Sequence, residues 1–181
     1  MDFAILPMTR RCFFAAGGLS MAAAVSSVSD SAAENVDLPR AALLADGEAK
    51  TFLLVFYSGQ KVMNGLAAFA KSHNLVAGHL TGIGAVSDAM IGYFDPQSKS
   101  YLRNFEKGQA EVLSLTGNLA LNNNEPFFHV HVALGGRDGF ARGGHLFEMT
   151  VRPTVELVLN TYPGAVRRKI DQLSGLPLLD P

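Results

Sequence analysis

The chain has 181 residues, 48% of them hydrophobic and 17% charged, enough apolar material for one ordinary domain with a buried core. Lys and Arg total 15 against 16 for Asp and Glu, and the resulting net charge of −1 argues against a surface built to grip nucleic-acid phosphates. Cys12 is the only cysteine, so an internal disulfide is excluded and any metal must rest on histidines and carboxylates.

In chain order, Arg10 and Arg11, an apolar stretch over residues 13–25 and small residues up to Ala33 form the three parts of an export signal, residues 1–33. The stretch is too short and too rich in Ala and Gly to give a stable membrane span. Residues 9–14 resemble the twin-arginine motif, which a receptor reads rather than lipid. The expected location is periplasmic or otherwise exported, and cytoplasmic if the segment is not a signal. Its removal takes two arginines and two aspartates, leaving the balance at −1. Residues 34–48 read as a short linker, 49–162 as one domain and 163–181 as a C-terminal tail. Arg167, Arg168 and Lys169 in that tail read as a solvated helix end.

Within the domain, residues 51–57 are a β-branched and aromatic run closed by Ser58-Gly59, which predicts a buried strand. Val62, Leu66, Phe69 and Ala70 recur at helical spacing, so residues 61–73 predict an amphipathic helix capped by Ser58 and ended at Asn74. The period then changes to 2. Residues 75–83, 86–94, 100–105, 111–121, 127–134, 141–149 and 154–161 read as strands. Turn chemistry stands at 95–98 and 122–124, and a hairpin turn at 135–139. One main helix and five to seven strands predict an α+β fold with a mostly antiparallel sheet.

Two motifs fall short. Gly82-Ile-Gly84 lacks the third glycine of a dinucleotide fingerprint and sits in an antiparallel pattern. Ser58-Gly-Gln-Lys61 has the spacing of penicillin-recognising enzymes without their companion elements.

His129 and His131 stand at i and i+2, so on a strand they project from one face about 6–7 Å apart along the backbone. The turn at 135–139 brings His145 back toward the pair, and Gly143 and Gly144 allow close approach beside a ligand. Three neutral imidazoles with a position left open are the donor set of an accessible zinc site. Nickel, copper and iron also accept nitrogen ligands. His-x-His on a strand is also common as hydrogen-bonded or solvent-facing histidines. His73 reads as a partner of the helix dipole and His79 as structural.

The blocks Thr81-Gly-Ile-Gly-Ala-Val-Ser-Asp-Ala-Met-Ile-Gly-Tyr-Phe-Asp95, Glu111-Val-Leu-Ser-Leu-Thr-Gly117, Pro126-Phe-Phe-His-Val-His131 and Gly143-Gly-His-Leu146 together resemble the plant- and prokaryote-conserved (PPC) domain over residues 50–162. The resemblance implies an α+β fold, a homotrimer, and metal on the three histidines that match, His129, His131 and His145. It also brings a DNA-binding label, although the chain has no Arg-Gly-Arg-Pro hook.

Three readings follow. The first is an exported trimeric metal-binding module, with zinc on three histidines and a small-molecule ligand. The second is a zinc-dependent hydrolase or lyase using metal-bound water, with Glu111 or Glu148 as general base. The third is a DNA-binding protein, against which export and the charge both count. The export signal makes a direct prediction. Replacing Arg10 and Arg11 together with lysine retains the protein in the cytoplasm, as read by cell fractionation, and normal export of that variant would refute the twin-arginine assignment.

Overall fold

The computed structural model describes residues 37–181, and the export signal read over residues 1–33 lies outside the described residues. The elements run β1 (Arg40–Asp46), β2 (Lys50–Tyr57), α1 (Val62–Ser72), β3 (Gly78–Asp95), β4 (Ser100–Asn122), β5 (Glu125–Gly135), β6 (Ala141–Thr161), β7 (Arg167–Ile170) and β8 (Pro177–Asp180). The α+β class and the mostly antiparallel sheet with one helix are as expected, but the described strands number eight rather than five to seven.

Turn chemistry places the hairpins where the residues ask for them. Asp95 accepts from the backbone N–H of Gln97 and the hydroxyl of Ser98. Asn123 and Asn124 both adopt positive φ between the paired residues Asn122 and Glu125, the two-residue turn that matches strand twist. Asn74, also at positive φ, follows the helix end.

Three predicted breaks are continuous strand instead. Residues 75–83 and 86–94 fall almost wholly in β3, residues 100–105 and 111–121 in β4, and residues 141–149 and 154–161 in β6. Gly82, Gly84 and Pro153 sit at register shifts, where an extra residue bends a strand without ending it. Gly108, at φ +104°, marks such a place in β4. The short linker also needs correction, because residues 40–46 pair with β2 as an exposed edge strand. So does the tail. Arg167, Arg168 and Lys169 lie in β7, which pairs with β8 and touches β4 at Leu121, so they are not a helix end.

The topology closes on itself. β3 pairs with β4, β4 with β5, β5 with β6, and β6 with β3, while β2 and β1 extend from the C-terminal half of β6. The core draws alternate residues from each strand: Phe52, Leu54 and Phe56 from β2, Val130 and Val132 from β5, Val155, Leu157 and Leu159 from β6. α1 lays Val62, Leu66, Phe69 and Ala70 against it.

Ser58 does not cap α1. Its hydroxyl donates to the Pro153 carbonyl at 3.3 Å, and the helix has no side-chain cap from its own N-cap residue, Lys61. The carboxylate of Glu148, reaching from β6, accepts from the backbone N–H of Met63 at 2.7 Å and of Asn64 at 3.1 Å. Asp37 accepts from the Lys61 N–H at 2.7 Å. Two distant carboxylates thus satisfy three N–H donors at the helix start and face its positive end. Glu148→Ala is therefore expected to lower stability by about 1–2 kcal/mol. The check is the urea midpoint at unchanged slope, and an unchanged midpoint would mean the cap carries no weight.

Candidate metal centre

Period 2 along β5 separates two faces. Phe128, Val130 and Val132 are buried in the core, and Phe127, His129 and His131 point the other way. Across the β5–β6 pairing His131 stands directly opposite His145. The three imidazoles therefore meet, each offering one nitrogen, with all three donor atoms within 4.8 Å of one another. The Nε2 atoms of His129 and His131 are 3.2 Å apart.

His145 and His129 are half-buried and His131 is exposed. Desolvation pushes the His145 pKa down to about 4, helped by the charges that His129 and His131 would carry. Desolvation lowers His129 as well, with His131 and Arg168 adding to the effect. The Nδ1 of His145 is buried without a hydrogen-bond partner. This is an environment that keeps nitrogen lone pairs unprotonated and free.

Rings pack around His145. Tyr101 lies 4.8 Å and Phe147 5.0 Å from it between centroids. They fit because Gly92, paired with His145 from β3, has no side chain. A Cβ there would stand 2.6 Å from the Phe147 ring and 3.1 Å from the Tyr101 ring. Gly143 and Gly144 serve a different end from the one expected. A Cβ on Gly143 would meet the Val132 carbonyl and one on Gly144 the Gly92 carbonyl, each at 2.4 Å, so this pair lets strands close up rather than a ligand approach.

Beside the histidines lies a cavity of about 340 Å³, lined in part by His129, His145, Phe127, Phe147, Arg168 and Leu178. Arg168, on β7, donates to the Asn118 side chain and, at 2.9 Å, to the Pro177 carbonyl, and its guanidinium lies 5.1 Å from the Phe127 ring centre. Asn118 is the β4 residue opposite His129, so β4 joins the hairpin to the histidine strand.

Neither candidate base is part of this cluster. Glu148 is committed to α1, with burial raising its carboxyl pKa against the hydrogen bonds that lower it. Glu111 is exposed and borders a separate groove with Ile83, Leu113 and Pro153. His73 closes the helix, its Nδ1 2.9 Å from the Phe69 carbonyl, and His79 contacts the Tyr162 hydroxyl at 2.5 Å. Sequence reasoning missed Phe127, Phe147, Tyr101 and Arg168. The same period of 2 that paired His129 with His131 carries Phe127 and Phe147 onto the histidine faces. No local signal brings Tyr101 or Arg168 there.

The family model of the Plants and Prokaryotes Conserved domain matches residues 44–163. A metal-containing protein of Archaeoglobus fulgidus is 33% identical, with a TM-score of 0.68 over 80% of this chain and 99% of that one. A plant- and prokaryote-conserved protein of Pyrococcus horikoshii is 32% identical, with a TM-score of 0.69 over 78% and 95%. A protein of Bacteroides thetaiotaomicron provisionally described as DNA-binding is 26% identical, with a TM-score of 0.72 over 77% and 96%. No curated protein matches the chain.

The depressed His145 has a consequence for the metal-free protein. An unfolded imidazole takes up a proton near 6.5, whereas folded His145 does so only at about 4. Between these values the unfolded chain binds more protons, so stability falls as the pH drops through that window. His145→Asn should flatten the dependence, measured as urea midpoints at about pH 7 and about pH 5. Equal pH dependence in wild type and variant would remove the claim.

Proposed function

The chain belongs to the Plants and Prokaryotes Conserved domain family, and on that footing we propose an exported homotrimer that binds a divalent transition metal, zinc first, on His129, His131 and His145. The metal makes the site a binding module for a small ligand. The observation that carries this reading is the convergence of three imidazole nitrogens within 4.8 Å of one another. Zinc–nitrogen bonds of about 2.0–2.1 Å in a tetrahedron put donor atoms about 3.3 Å apart, close to the 3.2 Å between His129 and His131. The unpartnered Nδ1 of His145 adds a donor nitrogen whose desolvation a metal bond would offset. A metal held this way supplies a Lewis-acidic position open to a ligand atom. The metal-containing relative from Archaeoglobus supports the same reading.

Trimer formation draws support from apolar side chains left in solvent by one chain. Tyr93 and Leu102, paired across β3 and β4, are 64% and 57% exposed, and Ile83 and Leu113 are also exposed. Patches of this kind are commonly covered by another protein surface. Export rests on the sequence signal. None of the described helices is long and apolar enough to cross a membrane.

Binding is favoured over hydrolysis because the two carboxylates proposed as bases stand elsewhere, Glu148 at the helix and Glu111 in its own groove. DNA binding is a second reading, favoured by the description of the Bacteroides relative. The net charge of −1 weighs against it.

His129→Ala and His131→Ala are each expected to abolish stoichiometric zinc while far-UV circular dichroism stays the same, since the core face of β5 does not use them. Elemental analysis with light scattering on the same samples is the measurement. Equal metal in wild type and both variants would exclude these ligands, and a monomer mass would exclude the trimer.

A further inference from the structure

The cavity beside the histidines carries a cation that the metal reading does not use. Arg168 is the only residue with a permanent charge among those lining it, and no Asp or Glu lines it. Among the described residues Arg168 makes no ion pair. A guanidinium has five N–H donors, and the hydrogen bonds to Asn118 and Pro177 engage two of them. Its Nε is buried with no partner. A buried donor left unmatched is unfavourable, and a charged one more so, until an acceptor arrives.

Apart from His129, His145 and Tyr101, the rest of the wall is apolar. Phe127, Phe147, Met63, Leu176 and Leu178 supply it, with Arg168 lying across the Phe127 ring. An inorganic anion would leave this surface unused, and a neutral hydrocarbon would leave Arg168 unmatched. The volume of about 340 Å³ stands at the small end of ligand sites, suited to a single ring or a short chain.

We propose that this cavity binds a small organic monoanion, a carboxylate on an apolar body, with Arg168 holding the carboxylate and the body lying against Phe127, Phe147 and Leu178. The proposal builds on the metal reading, because a cation on His129 and His145 would strengthen the positive field of the same cavity. Arg168 nevertheless acts without it. The β7–β8 hairpin, which lies beyond the family match ending at residue 163, thereby becomes the specificity element of the site. Asn118 and the Pro177 carbonyl hold the guanidinium in place, so little side-chain freedom remains to be lost on binding.

The test is calorimetric titration of the full chain, zinc-loaded and chelator-stripped, with benzoate and with neutral benzamide. Benzoate should bind saturably to both forms and benzamide at least about tenfold more weakly. Arg168→Gln should weaken benzoate by at least about tenfold while leaving zinc content and benzamide binding unchanged. Leu178→Glu, a change on the hairpin that leaves Arg168 intact, should also weaken benzoate by placing a like charge in the cavity. It serves as the independent arm if Arg168→Gln melts early. Absence of saturable benzoate binding to either form overturns the proposal. So does benzoate binding that needs zinc and is indifferent to Arg168→Gln, because the anion then sits on the metal alone. A chain that takes up no zinc but still binds benzoate through Arg168 refutes the metal reading and upholds this one.

Discussion

The pairing of β5 with β6 is the constraint on which the site depends. Without it β3, β4, β5 and β6 would form an open sheet, and His145 would have no fixed relation to His129 and His131. The pairing spans residues 131–135 and 141–145, ends with His131 opposite His145, and is set by the short turn that joins the strands. Closing the circuit also buries one face of β3, β4, β5 and β6 in a common core, so register is strongly specified. A slip by one residue would turn His129 and His131 inward and Val130 and Val132 outward. The same packing that holds the core therefore positions the histidines.

Closure further decides the electrostatics. Bringing β3 and β6 together at Gly92 and His145 lets Tyr101 and Phe147 pack around the imidazole, and their apolar surface removes water from it. A desolvated imidazole resists protonation, which is what a nitrogen ligand needs at neutral pH. The β7–β8 hairpin adds a second half-buried group, a guanidinium that stays charged although burial lowers its pKa. Neutral nitrogens and a fixed cation share one cavity, and no acidic side chain lines it to cancel the cation.

Glu148 shows how a residue type can mislead. A carboxylate three positions from His145 reads as a candidate base, yet on β6 it accepts from the first turn of α1. Strict alternation fails here, because a register shift against β3 falls between Leu146 and Glu148, so that Leu146 and Met149 both face the core and Glu148 is turned to α1. Gly143 and Gly144 mislead in the same way, since the atoms that exclude a side chain there are carbonyls of neighbouring strands.

Much of the candidate site was legible in the chain because the information is local. The alternation of Phe127, His129 and His131 against Phe128, Val130 and Val132 settles which residues share a face. The glycine-rich turn settles that β6 returns alongside β5, and the four motif blocks identify the family. The helix over residues 62–72 follows from its apolar spacing. What lay beyond reach was every contact between segments distant in sequence. The continuity of β3, β4 and β6 through glycines and a proline depends on partner strands that supply hydrogen bonds across each bulge. The strand character of residues 40–46 depends on β2 being there to pair with it. Arg168 reaches the cavity only because β7 pairs with β4 and Asn118 stands opposite His129. Side-chain periodicity is written into neighbouring residues, whereas strand partners and desolvation arise only once the sheet has closed.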